Sequence, residues 1–142
     1  MSWKPKNPVL VCDVDGVLFT YEGFKGVGVF GEPVPGAAET LRKLHKDGWY
    51  IAIFTTRPLT PQLKKILKKN RIPHHDVNHM KHGRLWAHNP PGASMKPYAD
   101  AYIDDRDWQS VGKPFTRATW ARIYKRLSSW KKKIYDTGKI KH

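Results

Sequence analysis

Cysteine is nearly absent from this sequence: Cys12 stands alone among 142 residues. A single thiol excludes an intramolecular disulfide and any zinc site built from several cysteines. Acidic residues are scarce too, 12 against 26 lysines and arginines, which leaves a formal net charge of +14. Long hydrophobic runs are missing. None approaches the roughly 20 apolar residues needed to cross a bilayer. The first residues, Met1-Ser2-Trp3-Lys4-Pro5, lack the apolar run of a signal peptide. Together these absences predict a cytoplasmic chain in a reducing environment, with no membrane among its partners.

The positive balance sets up a field that attracts phosphorylated or polyanionic partners, with nucleotide or nucleic acid the natural candidates. Charge alone carries no specificity, and a solvated surface is its simplest use. The length suits one domain over 1–142 around one core, with a basic C-terminal tail from about 131.

What is present is an alternation of short apolar runs and amphipathic stretches. Residues 9–14 form a β-branched run that reads as a buried parallel strand ending in acid. Residues 17–35, with Gly23, Gly26, Gly28 and Gly31 among aromatics, read as a loop or flap. Ala37, Leu41 and Leu44 recur at helical spacing, and Gly48 is a stop. Residues 49–54 make a second strand. Thr60-Pro61 is a cap followed by proline, opening a helix with Leu63, Ile66 and Leu67 on its apolar face. A short strand is expected near Asp76-Val77, loop over 78–95, and another strand at 101–103. From Thr119, the residues Trp120, Ile123, Tyr124, Leu127 and Trp130 form one face of a helix, read as core packing. The alternation predicts an α/β fold with a mostly parallel sheet, whose ligands sit beyond the carboxyl ends of the strands.

Reactive groups stand at three of those ends: Asp13 and Asp15, then Thr55, then Asp104 and Asp105. Four carboxylates in one crevice repel one another unless a hard cation sits among them. An oxygen-only donor set suits Mg²⁺. His74, His75, His79, His82 and His88 crowd one segment without zinc spacing, and are expected in a polar loop beside the site.

Asp13-Val14-Asp15-Gly16-Val17-Leu18 resembles the first motif of the haloacid dehalogenase-like (HAD) superfamily, an apolar strand followed by an Asp-x-Asp-Gly turn. Ile51-Ala52-Ile53-Phe54-Thr55 is similar to the second motif, a strand ending in Thr or Ser. Lys96-Pro97 resembles the third, and Ala101-Tyr102-Ile103-Asp104-Asp105-Arg106 the acidic fourth. The four occur in order over residues 9–106, and the stretch 96–106 is especially similar to small members from phage and bacterial genomes.

The resemblance implies a three-layer α/β/α Rossmann-like core and a phosphatase. Asp13 would be the nucleophile that forms an aspartyl-phosphate, and Asp15 the general acid/base. Mg²⁺ would be held by Asp13, the Asp15 carbonyl, Asp104 and Asp105, with Asp105 the direct ligand of the last two. Thr55, with Thr56 as its rival, and Lys96 would hold the phosphoryl oxygens. Arg57 and Arg106 are candidate substrate contacts. An aspartate at 15 argues for phosphate hydrolysis over dehalogenation. Family members carry caps in the flap after the first motif or between the second and third. The spacing here allows only a minimal cap, so an open site is expected. The implied activity is phosphomonoester hydrolysis, on nucleotides or nucleic-acid ends given the charge. The alternatives are a small-metabolite phosphatase and a non-catalytic basic nucleic-acid-binding module on the same scaffold.

Overall fold

A computed structural model describes residues 7–78, 99–107 and 109–135. Four short strands form one parallel sheet: β1 (Val9–Cys12), β2 (Tyr50–Ile53), β3 (Asp76–Val77) and β4 (Ala101–Ile103). Their order across the sheet is β3-β2-β1-β4. Three helices are described: α1 (Ala37–Lys46), α2 (Pro61–Lys69) and α3 (Arg117–Ile134). The α/β fold with a parallel sheet is the one expected.

Both faces of the central strands are buried, which is why their sequences read as unbroken apolar runs rather than alternating ones. Leu10, Cys12, Ile51 and Ile53 point to one side, where they share a core with Leu41 and Leu44 of α1, Leu63 and Leu67 of α2, and Trp120 of α3. Val9, Val11, Tyr50 and Ala52 form a separate cluster on the other side, packed against Phe54 and Ala99. All three described helices thus serve one face of the sheet.

The helix ends follow local chemistry. After α1 the chain turns through Gly48 at φ 101°. The Gly48 N–H bonds to the His45 carbonyl and the Trp49 N–H to that of Leu44, a paired closure that needs the left-handed residue. Thr60 caps α2, its hydroxyl accepting from the Leu63 N–H, with Pro61 next. Helix α3 starts earlier than its apolar face suggests, because Thr116 and Thr119 cap each other reciprocally. Lys131, Lys132 and Lys133, expected to lie in the tail, form its last turn, where positive charge meets the negative end of the helix dipole. The rest of the tail, 136–142, lies outside the described residues.

The flap is closed at its base. The Thr20 N–H bonds to the Glu32 carbonyl and the Val34 N–H to that of Leu18. Trp120, fully buried on α3, donates its indole N–H to the Val17 carbonyl at 3.1 Å and so fixes the turn after β1 from below. Among the described residues no helix is long and apolar enough to cross a membrane.

Candidate active site

The strand order places a topological switch beside β1. The chain steps from β1 to β2 to β3 in one direction, then returns to the opposite side of β1 for β4. A crevice opens beyond the carboxyl ends of β1 and β4, the place where such sheets bind ligands. Asp13 follows β1 directly, its N–H continuing the ladder to the Ile103 carbonyl at 3.0 Å. Asp104 and Asp105 follow β4.

These three acids converge. One carboxylate oxygen from each of Asp13, Asp104 and Asp105 lies within 4.8 Å of the others. Burial is the main cause that pushes Asp13 from an ordinary 3.8 to about 7. The Val14 N–H, donating to its Oδ1 at 2.8 Å, opposes this, while the charges of Asp104, Asp105 and Asp15 add to it. Asp105 is raised as well, first by burial and then by its hydrogen bond with Asp104 and that residue's charge. Carboxylates whose mutual repulsion resists ionisation are the electrostatic complement of a cation. The donors are all oxygen, with no imidazole or thiol in the group, which fits Mg²⁺ better than zinc. Cys12 lies behind Asp13. Its thiol is fully buried and pushed well up by that burial, then by Asp13 and Asp104, so it is inert as a nucleophile.

Asp15 stands apart from the trio. Its carboxylate is gripped by Arg57 at both oxygens, Nε to Oδ2 at 2.7 Å and Nη2 to Oδ1 at 3.1 Å. Arg57 is only 6% exposed. Its Nη1 donates to the carbonyls of Gly26 and Val27, both at 3.0 Å, and its guanidinium lies 4.3 Å from the centre of the Phe30 ring. Arg57, a candidate substrate contact, lines the same pocket as Asp13 and is at once a buried strap between Asp15 and the flap.

Thr55 and Thr56 follow β2 and line the same pocket, as does the exposed Arg106. The Thr55 hydroxyl accepts from the Arg57 N–H at 3.1 Å. The sequence reading missed Asn78. Its side chain accepts from the Thr55 N–H at 2.8 Å and donates to the Arg57 carbonyl at 3.0 Å, holding this loop from the end of β3. Asn78 has φ 58°, a conformation asparagine tolerates better than most residues, and an asparagine just past a short strand is the only signal the sequence offers.

Lys96, His79, His82 and His88 lie outside the described residues. His74 and His75 are not beside the site. His75 precedes β3, where its ring accepts from the Ile51 N–H at 3.1 Å and stacks on Tyr50, near the opposite end of the strands from Asp13. Parallel pairing of β3 with β2 dictates that position.

The crevice encloses about 610 Å³, floored by the acids and edged by Tyr21, Phe24, Val27 and Tyr102. Gly16 lets the turn after Asp15 approach Asp105. It sits at φ 80°, and a Cβ there would collide with Asp105 Oδ2. Gly16→Ala should therefore displace Asp105, and if these acids hold Mg²⁺ the affinity should fall about tenfold or more, read by calorimetric titration of wild type and folded variant.

The chain matches no protein-family model and no curated protein. Its fold is similar to that of a conserved protein from Bacteroides thetaiotaomicron, with a TM-score of 0.64 and 22% identity over 87% of this chain and 92% of that one. A crystal structure from Vibrio cholerae aligns at a TM-score of 0.44 and 18% identity, over 84% of this chain and 98% of that one. The Bacteroides likeness is one of fold.

Proposed function

We propose that the chain is a magnesium-dependent phosphomonoester hydrolase of the haloacid dehalogenase-like kind, with Asp13 as nucleophile. The observation that carries this reading is the convergence of Asp13, Asp104 and Asp105 at the switch point of a parallel sheet, in a pocket also lined by Asp15 and Thr55. A structural role explains three mutually repelling carboxylates poorly. A cation site for a phosphate ester explains them directly.

In this reading an Asp13 oxygen attacks phosphorus and the bond to the ester oxygen breaks. The leaving oxygen takes a proton from Asp15, giving an alcohol and an aspartyl-phosphate. Asp15 then accepts a proton from water as that water attacks phosphorus, releasing phosphate and restoring Asp13. Thr55 uses its lone pair on the Arg57 N–H, which leaves its O–H as a donor to a phosphoryl oxygen. A Mg²⁺ held by Asp13, Asp104 and Asp105 would supply positive charge that keeps Asp13 ionised and balances the phosphoryl oxygens.

The test is turnover of a chromogenic phosphomonoester. Release should require Mg²⁺, stop in EDTA and return when Mg²⁺ is restored. Absence of release across a panel of esters, with retention of nucleic acid by the folded protein, would instead identify a binding module. Release that EDTA leaves unchanged would remove the metal from the proposal.

A further inference from the structure

The flap divides its aromatic side chains between two tasks. Phe19 and Phe30 pack together, ring centres 6.0 Å apart, and Phe30 backs the Arg57 guanidinium. Phe24 also lies over that guanidinium, its ring centre 6.0 Å away, but like Tyr21 it keeps much of its surface open to water. Both stand exposed at the edge of the pocket that Asp13 floors, Phe24 with 66% of its surface open. Tyr102 joins them from β4, also exposed, its phenol accepting from the Ala99 N–H at 3.1 Å. Phe24 is the most exposed large apolar residue among those described. Leaving such a ring in water forfeits the gain that burial would bring. The two flap rings, Tyr21 and Phe24, stand open at this mouth and call for an occupant.

The flap carrying two of them is not loose. Arg57 holds the carbonyls of Gly26 and Val27, and pairing at 18–20 with 32–34 closes the base. Tyr21 and Phe24 are therefore presented beside the phosphate site by a braced loop. Phosphate chemistry on the floor and flat π-faces at the rim select an ester whose leaving group is itself flat. The net charge of +14 adds attraction for a polyanion, which an acidic peptide or a sugar phosphate exploits less fully than a nucleic-acid strand.

We propose that Tyr21, Phe24 and Tyr102 form a base-stacking subsite, so that the ester cleaved is that of a nucleotide. This rests on the phosphomonoesterase reading above. Stacking on aromatic rings tolerates any base, so little preference among the four bases is expected. The phosphate can come from a free nucleoside monophosphate or from the phosphorylated end of an oligonucleotide.

The experiment compares kcat/KM for nucleoside monophosphates, 3′- and 5′-phosphorylated oligonucleotides, phosphotyrosine and glycerol phosphate. A nucleotide ester should exceed glycerol phosphate roughly tenfold or more. The ratio should collapse in Phe24→Ala and Tyr21→Ala, and should survive in Val111→Ser, an exposed apolar residue away from the pocket. A steep loss of kcat/KM with added salt for the oligonucleotides alone would assign the strand end as the source; a flat response would assign the mononucleotide. Preference for phosphotyrosine, equal use of glycerol phosphate, or a ratio unmoved in both variants would overturn the subsite. If no ester is hydrolysed, the phosphatase reading fails on its own. The subsite is then decided by equilibrium dialysis of nucleoside monophosphate, where wild type should bind at least fivefold more tightly than Phe24→Ala.

Discussion

Replacing Asp13 by asparagine should lower Mg²⁺-dependent phosphomonoester turnover by at least about 10³-fold, because an amide cannot act as the nucleophile. The same change should make the cation-free protein more stable at pH 8. Asparagine keeps the size of the side chain and the oxygen that accepts from the Val14 N–H. It removes a charge that the fold resists: Asp13 is raised to about 7, chiefly by burial. A carboxylate raised on folding imposes no cost below its ordinary pKa, where both states hold the proton. The cost grows as pH climbs from about 4 to 7 and is complete above 7. For a group still partly open to water it is of the order of 2 kcal/mol. In EDTA at pH 8, Asp13→Asn should therefore melt roughly 5 °C above wild type. The gap should narrow from pH 7 downward and close near pH 4. Adding Mg²⁺ should reverse the order, since the cation stabilises the ionised trio and the variant has lost one member. A variant that retains turnover removes Asp13 as nucleophile. A variant that melts with wild type at pH 8 removes the cost of holding the Asp13 charge in the fold, which burial and the neighbouring acids together impose.

Asp13 was legible from sequence because two local signals coincide there: a β-branched run that must be buried, and an acid and glycine that end it. Asp104 and Asp105 lacked that buried run, since of Ala101–Ile103 only Ile103 is buried, and were legible as paired acids at the end of a short apolar stretch. Strand and helix positions were readable for the same reason, since periodicity and caps such as Thr60-Pro61 act over a few residues. The misplaced start of α3 is also local. Threonine at 119 stands where a capping box more often carries Glu or Gln, so Thr116 went unnoticed. Non-local contacts were not readable. From sequence, Thr55 and Thr56 read as phosphate-binding candidates and Arg57 as a candidate substrate contact, with nothing to announce its burial. Arg57 is buried only because carbonyls some 30 residues earlier in the chain, at Gly26 and Val27, arrive above it and Asp15 arrives beside it. The histidines show the same limit. The spacing of His74 and His75 said nothing about which end of the sheet they occupy; the parallel register of β3 on β2 decides that. Of 12 acidic residues in the chain, four stand at the switch point, where a basic protein has least need of them for solubility.

Arg57→Ala should be the most damaging single change outside the carboxylate trio. It strips the Asp15 carboxylate of both hydrogen bonds from Arg57 and leaves two flap carbonyls without that donor. Removing one member of a buried pair costs about 3–5 kcal/mol, which corresponds to a fall in melting temperature of roughly 10 °C or more. Arg57→Lys separates charge from geometry. A lysine restores a cation but not the planar fork, so it cannot hold two carboxylate oxygens and two carbonyls together. It should recover part of the stability and little of the turnover. In both variants kcat should fall by about 10² or more while KM changes far less, because the proposed mechanism uses Asp15 in the bond-breaking step rather than in binding. The flap supplies an independent readout. Lys25 is exposed beside the carbonyls that Arg57 holds, so trypsin should cut there faster once the strap is gone. Equal cleavage rates and equal stability would show that Arg57 does not brace the flap. A kcat that survives in Arg57→Lys would show that Asp15 needs only a neighbouring charge, not a fixed orientation.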